Sequence, residues 1–191
     1  MFGLSVPWLR QRWPFAGHAA VCRCDVRVTP ACLFESLPAL GNVLYMPMAA
    51  KPARDMPVGM LVESPSLLPL LQTCRLVAAS TITVEGPREW IECVDRKHHR
   101  LACLHLLPDT DYFAWDALLE CARTMTAAKP AHGVGHVRPA SARVLRFHLR
   151  GLAGLRVLGA DDVVPVSPLS RRLAGQIARA EAVPLQLAID G

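Results

Sequence analysis

Between Arg75 and Leu106 the chain carries three strand-like runs separated by short polar breaks, and this spacing constrains the fold more than any other feature. Arg75 to Val84 is rich in Val, Ile and Thr, and Gly86-Pro87 turns it. Arg88 to Val94 then alternates, with Trp90, Glu92 and Val94 on one face and Ile91 and Cys93 on the other. Asp95 to His99 forms a polar hairpin loop, and Arg100 to Leu106 is the returning strand. Sequential strands joined by turns this short pair antiparallel.

Around this core the pattern predicts helices. Leu33 to Leu40 is a short helix entered near Thr29-Pro30 and ended by Gly41, and Asn42 to Met48 is a strand. A second strand follows at Met56 to Glu63. Ser64-Pro65 opens a helix through about Gln72, with Pro65 near its first position. Asp111 to Ala127 reads as a helix whose apolar face carries Phe113, Ala114, Ala117, Leu118 and Cys121. Ala140 to Leu149 reads as another, placing Arg143, Arg146 and Arg150 on one stripe. A helix from Leu169 to about Glu181 and a strand from Leu185 to Ile189 repeat the helix-then-strand order of residues 32–49 about 140 residues later. The expected fold is α+β, an antiparallel meander with helices packed on one face and at the C-terminal end. The expected division is an irregular segment over 1–30, an α+β unit over 31–128, and over 129–191 a basic loop and helix followed by the start of a second repeat on the same domain.

Length and composition set the class. A chain of 191 residues with 52% hydrophobic residues buries a sizeable core without a disulfide or metal. No apolar run reaches the roughly 20 residues of a membrane span, and Met1 to Pro14 lacks the apolar stretch of a signal peptide. Seven cysteines, with Cys32, Cys74, Cys93, Cys103 and Cys121 among apolar neighbours, suit free thiols in a reducing cytoplasm. Cys22 and Cys24 form a lone CxC without a second pair for zinc. No metal site is expected from spacing, and the hydrolase, P-loop, dinucleotide and zinc-protease signatures do not occur.

Three stretches resemble the HemS-type haem-utilisation family, the bacterial haemin-degrading and haem-trafficking proteins that include the half-length ChuX and HutX forms. Leu37-Pro-Ala-Leu-Gly-Asn-Val-Leu resembles the opening helix-to-strand junction. Trp90-Ile-Glu-Cys-Val-Asp, Leu101-Ala-Cys-Leu-His-Leu and Asp111-Tyr-Phe-Ala-Trp-Asp-Ala-Leu-Leu are similar to the paired strands and the helix after them. Pro165-Val-Ser-Pro and Val183-Pro-Leu-Gln-Leu-Ala-Ile-Asp-Gly resemble the linker and the start of the second repeat. The resemblance implies one half-repeat plus the beginning of another, and a cytoplasmic haem-binding protein of iron acquisition that traffics haem or takes part in its degradation.

Haem needs an apolar cleft, an axial ligand and cations for its propionates. Where the family carries its iron-ligand histidine, the nearest candidates here are His132 and His136, in Ala131-His-Gly-Val-Gly-His. Arg143, Arg146 and Arg150 are the propionate candidates. His98 and His99 belong to the hairpin turn, and His105 to a strand as a satisfied core or sheet-face histidine. Haem is the one cofactor expected, and the residues point to binding before catalysis. The alternative is a relative that kept the scaffold, lost the ligand and acts as an interaction or regulatory module. An incomplete second repeat must pack on the first or pair with another chain, so a homodimer is expected. Nucleic-acid binding ranks third, because only Phe147 interleaves aromatically with the arginines.

Overall fold

A computed structural model describes residues 21–49, 57–84, 86–124, 129–130 and 138–187. Its elements in chain order are β1 (Cys22–Arg27), α1 (Pro30–Ser36), β2 (Asn42–Pro47), β3 (Met60–Val62), α2 (Leu68–Leu71), β4 (Arg75–Thr83), β5 (Gly86–Val94), β6 (Arg100–His105), α3 (Tyr112–Thr124), β7 (Lys129–Pro130), β8 (Ala142–Leu152), β9 (Leu155–Asp162), α4 (Pro168–Ala180) and β10 (Leu185–Gln186). Short 3-10 turns extend α1 through Leu40 and precede α2.

The three central runs form β4, β5 and β6, paired antiparallel in sequence order as their spacing requires. The fold class expected around them is corrected. Strand outweighs helix, and the described strands make one mixed ten-stranded sheet in the order β3-β9-β8-β2-β6-β5-β4-β1-β7, with β10 beside β8. The β3–β9 and β10–β8 pairs are parallel and the others antiparallel.

The largest departure lies at 140–149, read as a helix and found as β8, followed by β9. The arginine spacing fits a helical stripe, but the apolar residues obey a period of two. Ala142 and Val144 enter one core, and Leu145 and Phe147 the other. Burial on both faces decides the conformation, not the exposed arginines. Similarly, β1 falls within the front segment read as irregular and sits between β4 and β7.

The local signals that did specify elements have visible causes. Thr29 caps α1 by accepting from the Cys32 amide, with Pro30 at the first helical position. Gly41 ends that turn at φ 68°, and an added Cβ would meet the Asp109 carbonyl oxygen at 3.5 Å. Asp111 caps α3 through the Ala114 amide. The buried face of α3 is Trp115, Leu118 and Leu119, whereas Phe113 is largely exposed. The wider indole takes the inward position, so the predicted stripe is rotated.

Both sheet faces are covered. One core gathers Leu33, Phe34, Tyr45, Ile91, Leu104 and Trp115 under α1, α2 and α3. The other gathers Leu44, Met46, Cys103, Val144 and the α4 residues Ala174, Ile177 and Ala178. The tail therefore packs on its own sheet. The start of α4 is pinned there: Ser167 donates its amide to Asp109 Oδ2 at 3.1 Å and caps the helix through the Ser170 amide, while Ser170 Oγ accepts from the Asp109 amide.

Burial opposes ionisation of Asp109, but hydrogen bonds from Ser167, Ser170 and Asn42 outweigh it and hold the carboxyl below its ordinary 3.8. A depressed carboxyl stabilises the fold above its unfolded value and loses that contribution as pH falls through its folded value. Chemical denaturation should therefore show Asp109→Asn less stable than wild type at pH 7, with the gap closing below about pH 3.8. A gap independent of pH would show that the carboxylate charge does not hold α4.

Candidate functional site

Strand alternation collects charge on the α4 side of the sheet. In register across four strands stand Arg23 on β1, Ala79 on β4, Trp90 on β5 and His105 on β6. Thr81 opposes Arg88 in one flanking row, and Val77, Glu92 and Cys103 align in the other. Helix α4 covers only part of this face. Where its Ile177, Ala180 and the following Glu181 stop, a cleft of about 220 Å³ opens over these rows. Arg100, at the start of β6, completes its lining.

Glu92 is the floor of the cleft and is only 2% exposed. Its Oε1 accepts from Trp90 Nε1 at 3.2 Å and lies 3.5 Å from Arg23 Nη2 and 4.0 Å from Arg100 Nη1. Charge-assisted pairs close at about 2.7–2.9 Å, so these guanidiniums hold Glu92 only loosely. The Asp25–Arg75 pair on the same face, by contrast, is a tight two-point contact. The indole of Trp90 stacks on the His105 imidazole with centroids 6.2 Å apart. Burial, and then Arg100 and Arg88, push the His105 value down to about 3, so the ring is neutral at physiological pH. A neutral ring keeps a nitrogen lone pair for a metal or a donor.

The sequence candidates stand elsewhere. His132 and His136 lie outside the described residues, as does the whole loop that holds them. Arg143, Arg146 and Arg150 share no stripe, because on a strand Arg143 faces away from the other two. Each has a carboxylate or amide partner: Arg143 bonds Asp162 at 3.0 Å, Arg146 bonds Asn42 at 3.2 Å, and Arg150 lies 3.8 Å from Glu63. None lines the cleft. His98 and His99 flank the exposed hairpin as read, with Asp95 holding the loop through the amides of Lys97 and His99. The facing of Trp90 and Glu92 opposite Ile91 and Cys93 was visible in the alternation, and so was His105 beside Cys103. What reasoning missed was the pairing that brings Arg23, Arg88 and Arg100 to these residues.

Two other places carry less chemistry. A larger cavity of about 330 Å³, bounded by Pro47, Met48, Pro65, Leu68 and Pro69, has no titratable lining residue. On β8, His148 bridges Glu63 and Asp161, each at 3.1 Å, over Gly159. A Cβ at Gly159 would come within 2.1 Å of both Glu63 Oε2 and His148 Nε2, so the contact depends on the missing side chain. The two buried thiols of β5 and β6 are inert: burial pushes Cys93 up to about 12 and Cys103 higher still. Among the described residues no group of histidine, cysteine and carboxylate side chains is arranged to hold a metal ion, and no helix is long and apolar enough to cross a membrane.

No family model matches the chain, and no curated protein matches it.

Two measurements check this geometry. His105 should stay neutral from pH 8 to pH 5 in nitrogen-detected NMR; a midpoint near the ordinary 6.5 would contradict its burial. Gly159→Ala should cost less than about 1 kcal/mol, the worth of the exposed His148–Glu63 contact that its methyl displaces, and nothing once Glu63 and His148 are both truncated to alanine. A cost of several kcal/mol that survives in that background would place the clash in the backbone.

Proposed function

We propose that the protein binds haem, in the cytoplasm, and serves haem and iron utilisation by carrying haem and passing it on. The observation that supports this reading is the meeting of three guanidiniums, a neutral buried imidazole and an indole face in one cleft. Arg23, Arg88 and Arg100 are the cations that would take propionates, replacing Arg143, Arg146 and Arg150 in that role. His105 joins His132 and His136 as an imidazole available to iron. At about 220 Å³ the cleft is smaller than the roughly 300–1,000 Å³ typical of ligand pockets, so it suits the acidic edge of a macrocycle whose remainder lies against the open side. Bound iron would supply any redox chemistry, and the chain's own contribution is anchoring, stacking and charge. A homodimer belongs to the reading, since β3 and β7 each have a single strand neighbour among the described residues.

Haemin added to purified protein should give a saturable Soret shift at micromolar concentration. Arg23→Ala and Arg88→Ala should each weaken binding about 10- to 100-fold, the worth of one charge-assisted contact. His105→Ala, His132→Ala and His136→Ala, compared by band position, should single out one iron ligand. No shift in the wild type ends the haem reading and leaves the interaction-module alternative.

A further inference from the structure

Helices α3 and α4 lie on opposite faces of the sheet, and each turns outward a stripe that suits the other. Trp115, Leu118 and Leu119 of α3 point inward, so its outer stripe is Phe113, Asp116, Ala117 and Glu120, at i, i+3, i+4 and i+7. No basic residue stands between Tyr112 and Glu120. Phe113 is 78% exposed, and Tyr112 beside it 53%. Asp116 lies near Glu89 of β5, whose carboxyl is raised above its ordinary 4.5 by burial and then by that neighbouring charge. Neither acid pairs with an arginine or lysine among the described residues.

Helix α4 has the opposite character. Pro168–Ala180 contains no acidic residue, and Ala174, Ile177 and Ala178 turn inward. Arg171, Arg172 and Arg179 stand outward, none paired with a carboxylate among the described residues, and Leu169 is 61% exposed at the start. Between Arg172 and Arg179 the surface drops at Gly175, where an added Cβ would meet nothing within 4 Å. Glycine inside a helix costs about 0.5–1 kcal/mol against alanine, and neither packing nor a positive φ asks for it here.

Two copies of α3 would oppose carboxylates, and two copies of α4 would oppose arginines. Only α3 against α4 matches, and the sheet keeps these two apart within one chain. Laid antiparallel, Phe113 falls on Arg179, Ala117 on Gly175, and the carboxylates of Asp116 and Glu120 along Arg172 and Arg171. The small pair in the middle lets the backbones approach, and the Arg179 guanidinium meets the face of the Phe113 ring.

We infer that the outer face of α3 is a docking surface for the outer face of α4 on a second copy of this chain. The contact does not involve haem and is separate from the edge strands β3 and β7. Because the two faces differ, it is heterologous: each new copy brings a further α3 and a further α4, so association continues past two copies. One helix pair buries less than the roughly 1,200 Å² of a standard interface, so the contact is weak.

Sedimentation equilibrium of the full chain tests it. The average mass should rise with concentration above about 100 µM, as for a small transient interface, and the rise should flatten in about 1 M salt, where charges are screened beyond about 3 Å. Asp116→Arg, which spoils α3, and Gly175→Gln, which fills the low point of α4 without a clash, should each weaken the association at least about tenfold. Mixed in equal amounts, the two variants should form a complex that stops at two copies, the intact α3 of one meeting the intact α4 of the other. Neither residue lines the cleft, so the haemin titration succeeds or fails independently. An average mass that does not change with concentration overturns the inference. So does association indifferent to both variants, which leaves the edge strands as the contact, and so does a mixture that forms no two-copy complex.

Discussion

Everything in this structure depends on a strand having two sides. Each central strand must satisfy two cores at once, because helices lie against both faces of the sheet. In β5, Ile91 and Cys93 fill the core under α1, α2 and α3, and Trp90 and Glu92 turn to the α4 side. A slip of one residue in register would exchange the two sets and bury Glu92 in the larger core. The apolar side therefore fixes the position of the polar side, and the cleft inherits its geometry from packing it takes no part in.

Coverage decides which polar residues become a site. Over β2, β6 and β8, helix α4 brings Ala174, Ile177 and Ala178 against the sheet, and the facing residues are Leu44, Cys103 and Val144. Beyond the edge of α4 the same face carries Arg23, Arg88 and Glu92. The two kinds of ion pair there differ in kind. Asp25 and Arg75 meet in a tight fork, the geometry of a settled structural contact. Glu92 is shared at 3.5 Å and 4.0 Å by two guanidiniums and keeps an oxygen for something else. A charge buried to 2% is costly, and the Trp90 indole N–H and the two guanidiniums around Glu92 offset part of that cost.

The readable part of the fold was the part governed by local chemistry. Caps, proline positions and the terminating glycine located α1 and α2, and turn spacing located β4, β5 and β6. The misread segment shows where local chemistry stops. Arg143, Arg146 and Arg150 recur at helical spacing, but Leu145 and Phe147 face one core and Ala142 and Val144 the other. No stripe on a helix could serve two opposed cores with those residues. The parallel partners β3 and β10 were harder still, because their pairing is set by remote strands and nothing in two or three residues announces it.

The arginines carry the same lesson to the site. Those close in sequence, on β8, are spent separately on Asp162, Asn42 and Glu63. Those far apart in sequence, Arg23, Arg88 and Arg100, converge because β1, β5 and β6 belong to one sheet and α4 ends beside them. Clustering along the chain concentrates like charge, which the fold then separates and neutralises with local partners. Clustering across strands is imposed by register, and it persists only where the fold holds the side chains despite their repulsion. The second kind is the stronger indication of a binding site, because register gathers cations that lie far apart along the chain onto one stretch of the sheet.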